Sequence, residues 1–137
     1  MELLRSVVVA ALVAAAVGCG GRRLPALADG QPASYREHLE PLVLRRCRSC
    51  HTVEDPEAGL VLEAGRGWEA LVGLRSVQVP AMRLVDPGRL ASSYLWLKLD
   101  HTAAFGDGMP RTVFGAKRLP DAELERFRRW IEDGARP

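Results

Sequence analysis

Cys47-Arg48-Ser49-Cys50-His51 is the stretch on which the reading of this chain turns. With 3 Cys and 3 His among 137 residues, random placement would produce C-x-x-C-H in about one such sequence in 700, so the pattern carries information. Two cysteines three apart lie on one side of a helical turn, and the histidine follows at once. Upstream, Tyr35, Leu39, Leu42, Val43 and Cys47 recur with the period of a one-sided helix that leads into the motif. Ser34 with Glu37 has the form of a capping box, and Pro41 requires this helix either to bend or to start afresh.

Several chemistries use a C-x-x-C pair. A redox disulfide of thioredoxin type needs a βαβ context, which the chain does not offer, and zinc needs a second Cys/His pair, whereas His38 and His101 stand alone. With histidine next in line, the pattern is the attachment site of haem c. The thiols of Cys47 and Cys50 reach the two vinyl groups of one porphyrin, and His51 ligates the iron from the proximal side. For the sixth ligand the chain offers Met82, Met109, His38 and His101, Met1 being lost with a leader. Met109 is favoured because Gly106-Asp107-Gly108-Met109-Pro110 lets the backbone approach a ring closely. Met82 reads as a flexible filler of core, and His101 or an open position stay as options.

The N-terminus carries no charge from Ser6 to Gly21, which falls short of the ~20 apolar residues a membrane helix needs and reads as an export signal after Arg5. Ala16-Val17-Gly18-Cys19 resembles a bacterial lipobox, whose cysteine becomes the acylated first residue of the mature chain. The division that follows is a lipoprotein signal peptide over 1–18, a flexible tether over 19–33 and a folded domain over 34–137. The product is periplasmic and lipid-anchored through Cys19. Cleavage after Ala26-Leu27-Ala28 is the alternative and gives a soluble protein, with Arg22 and Arg23 then sitting in the leader. Haem c is attached outside the cytoplasm, so leader and motif agree.

Composition sets outer bounds. A mass of 15.0 kDa holds one domain, 47% hydrophobic residues exclude wholesale disorder, and three cysteines exclude a disulfide framework. The charge of +2 gives too weak a field for a nucleic-acid partner. Helices are expected over Gly67 to Val72, over Ala91 to Leu99 and from about Pro120 to Gly134, with a long irregular loop from His101 to Leu119. Leu60-Val61-Leu62 and Val77-Gln78-Val79 make at most short extended pairs, so the expected class is mainly α. Four short helices make a thin core, which something apolar is expected to fill.

From Tyr35 to Arg136 the chain resembles the monohaem class I c-type cytochrome domain of exported bacterial proteins. The likeness rests on Cys47 to His51, on Gly108-Met109-Pro110, and on Leu119-Pro120-Asp121-Ala122-Glu123-Leu124 followed by Trp130-Ile131-Glu132-Asp133-Gly134-Ala135. The resemblance implies a cytochrome c-like fold, with four or so short helices and long loops around one covalent haem. First and last helices would cross beside it, with His51 and Met109 as axial ligands. It implies electron transfer in an exported redox chain, as carrier or relay, rather than enzymatic turnover. The partners would be redox proteins, met as a monomer or as a subunit of a larger oxidoreductase complex. A peroxidase-like or gas-binding protein with an open distal site near His101 is the rival. Leu42, Val43, Tyr94, Leu97, Phe127 and Trp130 are expected in the core or crevice. Arg45, Arg46, Arg48, Arg111, Lys117 and Arg118 are candidates for steering an acidic partner, opposed by Glu54, Asp55 and Glu57.

Overall fold

Pro41 has no N–H to continue a helical ladder, and the chain both bends and restarts ahead of it. In a computed structural model, which describes residues 24–137, one wide turn over Tyr35–Leu39 is closed by the Glu40 N–H on the Tyr35 carbonyl. Helix α1, Glu40–Arg46, then begins with Pro41 in its first turn, where a missing N–H costs nothing. The expected capping box does not form. The Ser34 N–H donates instead to Nδ1 of buried His38 at 3.1 Å, so an imidazole takes the place expected for the Glu37 carboxylate. The leader over 1–18 and Cys19 lie outside the described residues.

Three further helices follow: α2, Gly67–Leu71, α3, Tyr94–Leu99, and α4, Asp121–Glu132. Ser93 precedes α3 without capping it through its side chain. Its hydroxyl accepts the Asp86 N–H at 2.9 Å and donates to the Arg89 carbonyl at 3.0 Å, fixing the turn before α3. Inside the stretch expected to be irregular, β1, Arg111–Thr112, pairs antiparallel with β2, Gly115–Ala116. The fold is therefore small and mixed: the four short helices are as expected, but helical content is modest and a two-strand sheet joins them. Strands of two residues are too short to show alternation. This hairpin is held locally, by the Thr112 hydroxyl donating to the Gly115 carbonyl at 3.0 Å. Neither 60–62 nor 77–79 forms a strand.

The core lies where the wide turn and α1 meet α4. Leu124, Phe127, Trp130 and Ile131 form the buried stripe of α4, and the Trp130 ring stands 5.6 Å from that of Tyr35, tilted by 52°. The chain end is sewn onto this contact: Tyr35 N–H and Trp130 Nε1–H both donate to the Arg136 carbonyl, and Trp68 Nε1–H donates to that of Ala135. Trp130 is wholly buried, so Trp130→Ala should lower the unfolding free energy by about 3–5 kcal/mol in denaturant melts of the purified protein. Packing also begins earlier than the expected boundary at Ser34. Leu24 and Leu27 lie against the core, and Arg129 donates to the carbonyls of Ala28 and Gln31, both at 3.0 Å. Among the described residues no helix is long and apolar enough to cross a membrane.

Candidate functional site

The C-x-x-C-H stretch is a run of tight turns that ends α1. Cys47 N–H donates to the Val43 carbonyl at 2.8 Å, Cys50 N–H to that of Cys47 at 3.1 Å, and His51 N–H to that of Arg48 at 3.1 Å. Downstream backbone then clasps the histidine. The Leu62 N–H donates to the His51 carbonyl at 2.8 Å, and His51 Nδ1 lies 3.1 Å from the Leu60 carbonyl. A carbonyl only accepts, so in the neutral ring the proton is on Nδ1 and the lone pair on Nε2, the arrangement of a metal-ligating imidazole.

These residues open onto a cavity of about 600 Å³, within the roughly 300–1,000 Å³ usual for cofactor sites. Leu60, Leu62, Leu71, Leu95 and Leu99 supply apolar wall, Cys47, Cys50 and His51 line one part, and Met109 belongs to the same lining. Burial pushes the Cys47 thiol up to about 12, with the neighbouring Cys50 adding to the shift and Arg46 opposing it. A thiolate is thus disfavoured at Cys47, whereas a thioether has no proton to lose. Among the described residues no three His, Cys, Asp or Glu side chains gather at metal distance, so the zinc alternative finds no ligand set there. The donor set and the apolar walls fit haem c: two thiols, an imidazole of fixed tautomer and a thioether share one greasy cavity.

Of the candidates for the sixth position, Met109 alone lines this cavity. Its N–H donates to the Lys98 carbonyl at 2.9 Å, and its own carbonyl accepts from His101 Nε2–H at 3.1 Å, so the backbone is held on both sides. Gly108 packs so closely on the His101 ring that a Cβ there would overlap it. His101 therefore serves the loop from outside. His38 is buried beneath the first turn, and Met82 lines a separate cleft with Arg75, Arg83 and Arg89.

The other site expectations divide. Tyr94 is the one member of the expected crevice set that lines the cavity; Leu42, Val43, Phe127 and Trp130 are core, and Leu97 is half-buried. The run 60–62 and the α3 pair Leu95 and Leu99 were missed as wall. The i, i+4 spacing of that pair was the available signal. The expected steering cations are mostly spoken for. Arg45 and Arg46 both reach Glu123 at 2.8 Å, Arg48 reaches Glu63 at 3.0 Å, Arg111 reaches Asp107 at 2.9 Å, and Arg118 reaches Asp100 and Asp121. Their far field is weakened accordingly.

No family model matches this chain, and no curated protein does. Among solved structures the chain is similar to hydrazine synthase of Kuenenia stuttgartiensis, with a TM-score of 0.49 and 20% identity over 75% of this chain. It spans 16% of that neighbour's length.

Proposed function

We propose that this chain is an exported c-type cytochrome domain of cytochrome c-like fold, which carries one haem c and passes single electrons between redox proteins. The observation that carries the reading is the convergence of Cys47, Cys50, His51 and Met109 on one apolar cavity. When bound, the haem supplies one-electron exchange between its ferrous and ferric states. The chain's residues do the rest. Cys47 and Cys50 hold the group covalently, and the Leu60 carbonyl orients the His51 ring. The Lys98 carbonyl and His101 hold the Met109 backbone in place. His51 and Met109 would hold the iron of such a group between them and leave substrate no place on it, so the protein is read as a carrier and not as a peroxidase-like enzyme. Apolar walls and a methionine ligand favour a comparatively high potential. Export and acylation at Cys19 complete the proposal and place the domain beside a membrane, in the periplasm.

A second reading, a haem-bearing subunit within a larger oxidoreductase, is favoured by one observation. Val113 and Phe114, at the hairpin tip between β1 and β2, are 94% and 98% exposed, an unusual place for two large apolar side chains unless a partner covers them.

The test is an absorption spectrum of the exported protein made together with haem-attachment machinery. The expected result is colour that acid-acetone does not extract, a sharp visible band on reduction and a weak far-red iron–sulfur band on oxidation. Colourless protein would overturn the proposal. Ready binding of carbon monoxide to the reduced form would transfer it to the open-site rival.

A further inference from the structure

Among the described lysines and arginines Lys98 alone is buried. It lies on α3, is 5% exposed, and lines the cavity rather than the outer surface. Among the described residues its ammonium forms no ion pair, while Arg46 and Arg111, which line the same cavity, each have a carboxylate. Asp107, which lines the same cavity, is already bound to Arg111 at 2.9 Å. The ammonium sits 5.8 Å from the centre of the Tyr94 ring. The Tyr94 hydroxyl is itself engaged, 3.0 Å from Gln78 Oε1 and 2.9 Å from the Phe105 carbonyl. Room for the ammonium is kept by Gly106, in the left-handed region at φ +67°, where a Cβ would come within 2.6 Å of Nζ. A desolvated cation without an anion is costly, and proteins keep one where an anion arrives from elsewhere.

Porphyrins of haem type carry two propionate side chains, which are ionised at neutral pH and have to be accommodated as the ring is buried. We propose that Lys98 is the counter-cation for one haem propionate, with Gln78 and Tyr94 forming the polar end of an otherwise apolar cavity. This inference rests on the haem reading above and adds a residue to it that the attachment motif does not predict. It also accounts for a lysine on the face of α3 that turns Tyr94, Leu95 and Leu99 to the same cavity. Charge pairing at this end holds the carboxylate ionised and offsets its negative field at the iron.

The test is the midpoint potential of the full exported holoprotein as a function of pH, between about pH 5 and pH 8, for the wild type, Lys98→Met and Lys98→Arg. The other charged and titratable groups facing this end, Asp107, Arg111, Arg75, Tyr94 and also His101 across the loop, are common to all three, so the comparison isolates the change at position 98. Lys98→Met should acquire a new step, its potential falling relative to wild type as pH rises, because an unpaired propionate now titrates in this window. Lys98→Arg should follow wild type. Parallel curves for Lys98→Met and wild type, with haem attached in both, would overturn the inference and leave the haem reading standing. Wild-type protein without covalent haem would overturn that reading itself. Should Lys98→Met fail to accumulate, wild type labelled with carbon-13 at the porphyrin carboxyls decides by infrared spectroscopy. Ionised carboxylates alone at about pH 5.5 support the pairing, and a protonated carboxyl band for both propionates overturns it.

Discussion

Exported protein carrying Cys47→Ser together with Cys50→Ser should emerge without covalent haem, a complete loss of the colour that survives denaturing electrophoresis. The two thioethers are the only bonds in the proposed site that persist once the fold is gone, since His51 and Met109 are held by the packing of the chain around them. The loss should extend to the fold. The leucine-lined cavity of about 600 Å³ would then face water across surface that the cofactor is proposed to cover, and uncovered apolar surface is unfavourable by roughly 25 cal/mol per Å². Earlier melting and faster proteolysis of the double variant are therefore expected alongside the missing colour. Each single variant keeps one anchoring sulfur and should retain some haem, with a shifted visible band from the unreacted vinyl group. Unchanged colour in the double variant would remove the attachment chemistry at a stroke. Cys19→Ser is the matching control, because it should leave the colour intact and change only membrane fractionation.

Local signals in the sequence located the elements whose physics is local. Leu124, Phe127 and Ile131 mark one face of α4, and Gly134 marks its end with φ +95°, so the helix was legible from spacing and a stop residue. The bend at Pro41 was legible for the same reason. The hairpin was not, because its register depends on one Thr112 hydroxyl and on a Gly115 conformation rather than on any pattern of hydrophobicity. The cavity wall was only half legible. Leu95 and Leu99 follow a helical period, but nothing in 60–62 tells a loop crossing a cavity from a strand. Lys98 was invisible, since a charged residue on an amphipathic segment is ordinarily read as its wet face. The arginines near the motif show the converse error. Their sequence neighbours suggested a free positive rim, while the partner that neutralises Arg45 and Arg46, Glu123, lies on α4, some eighty positions along the chain. Pairing across sequence distance is what single-chain reading lacks, and it decides the electrostatics here.

Replacement of Met109 by alanine separates the carrier from its rivals. In the oxidised variant the far-red iron–sulfur band should vanish, and the midpoint potential should fall by on the order of 0.1–0.3 V, a fraction of the roughly 0.8 V that axial ligation spans. The sign follows from chemistry: a thioether stabilises the ferrous ion, and water or hydroxide in its place stabilises the ferric one. The reduced variant should also gain carbon monoxide binding, because alanine leaves the distal position vacant. His101 cannot readily take over that position, since its Nε2 is committed to the Met109 carbonyl at 3.1 Å and its ring rests on Gly108 outside the cavity. Met82→Ala supplies the comparison. Met82 lines a cleft with Arg75, Arg83 and Arg89 instead of the cavity, so its removal should leave band and potential nearly unchanged. The reverse outcome, a silent Met109→Ala and a shifted Met82→Ala, would require the loop from Gly106 to Pro110 to leave its place against Lys98 and His101. It would overturn the ligand assignment while leaving the attachment at Cys47 and Cys50 untouched.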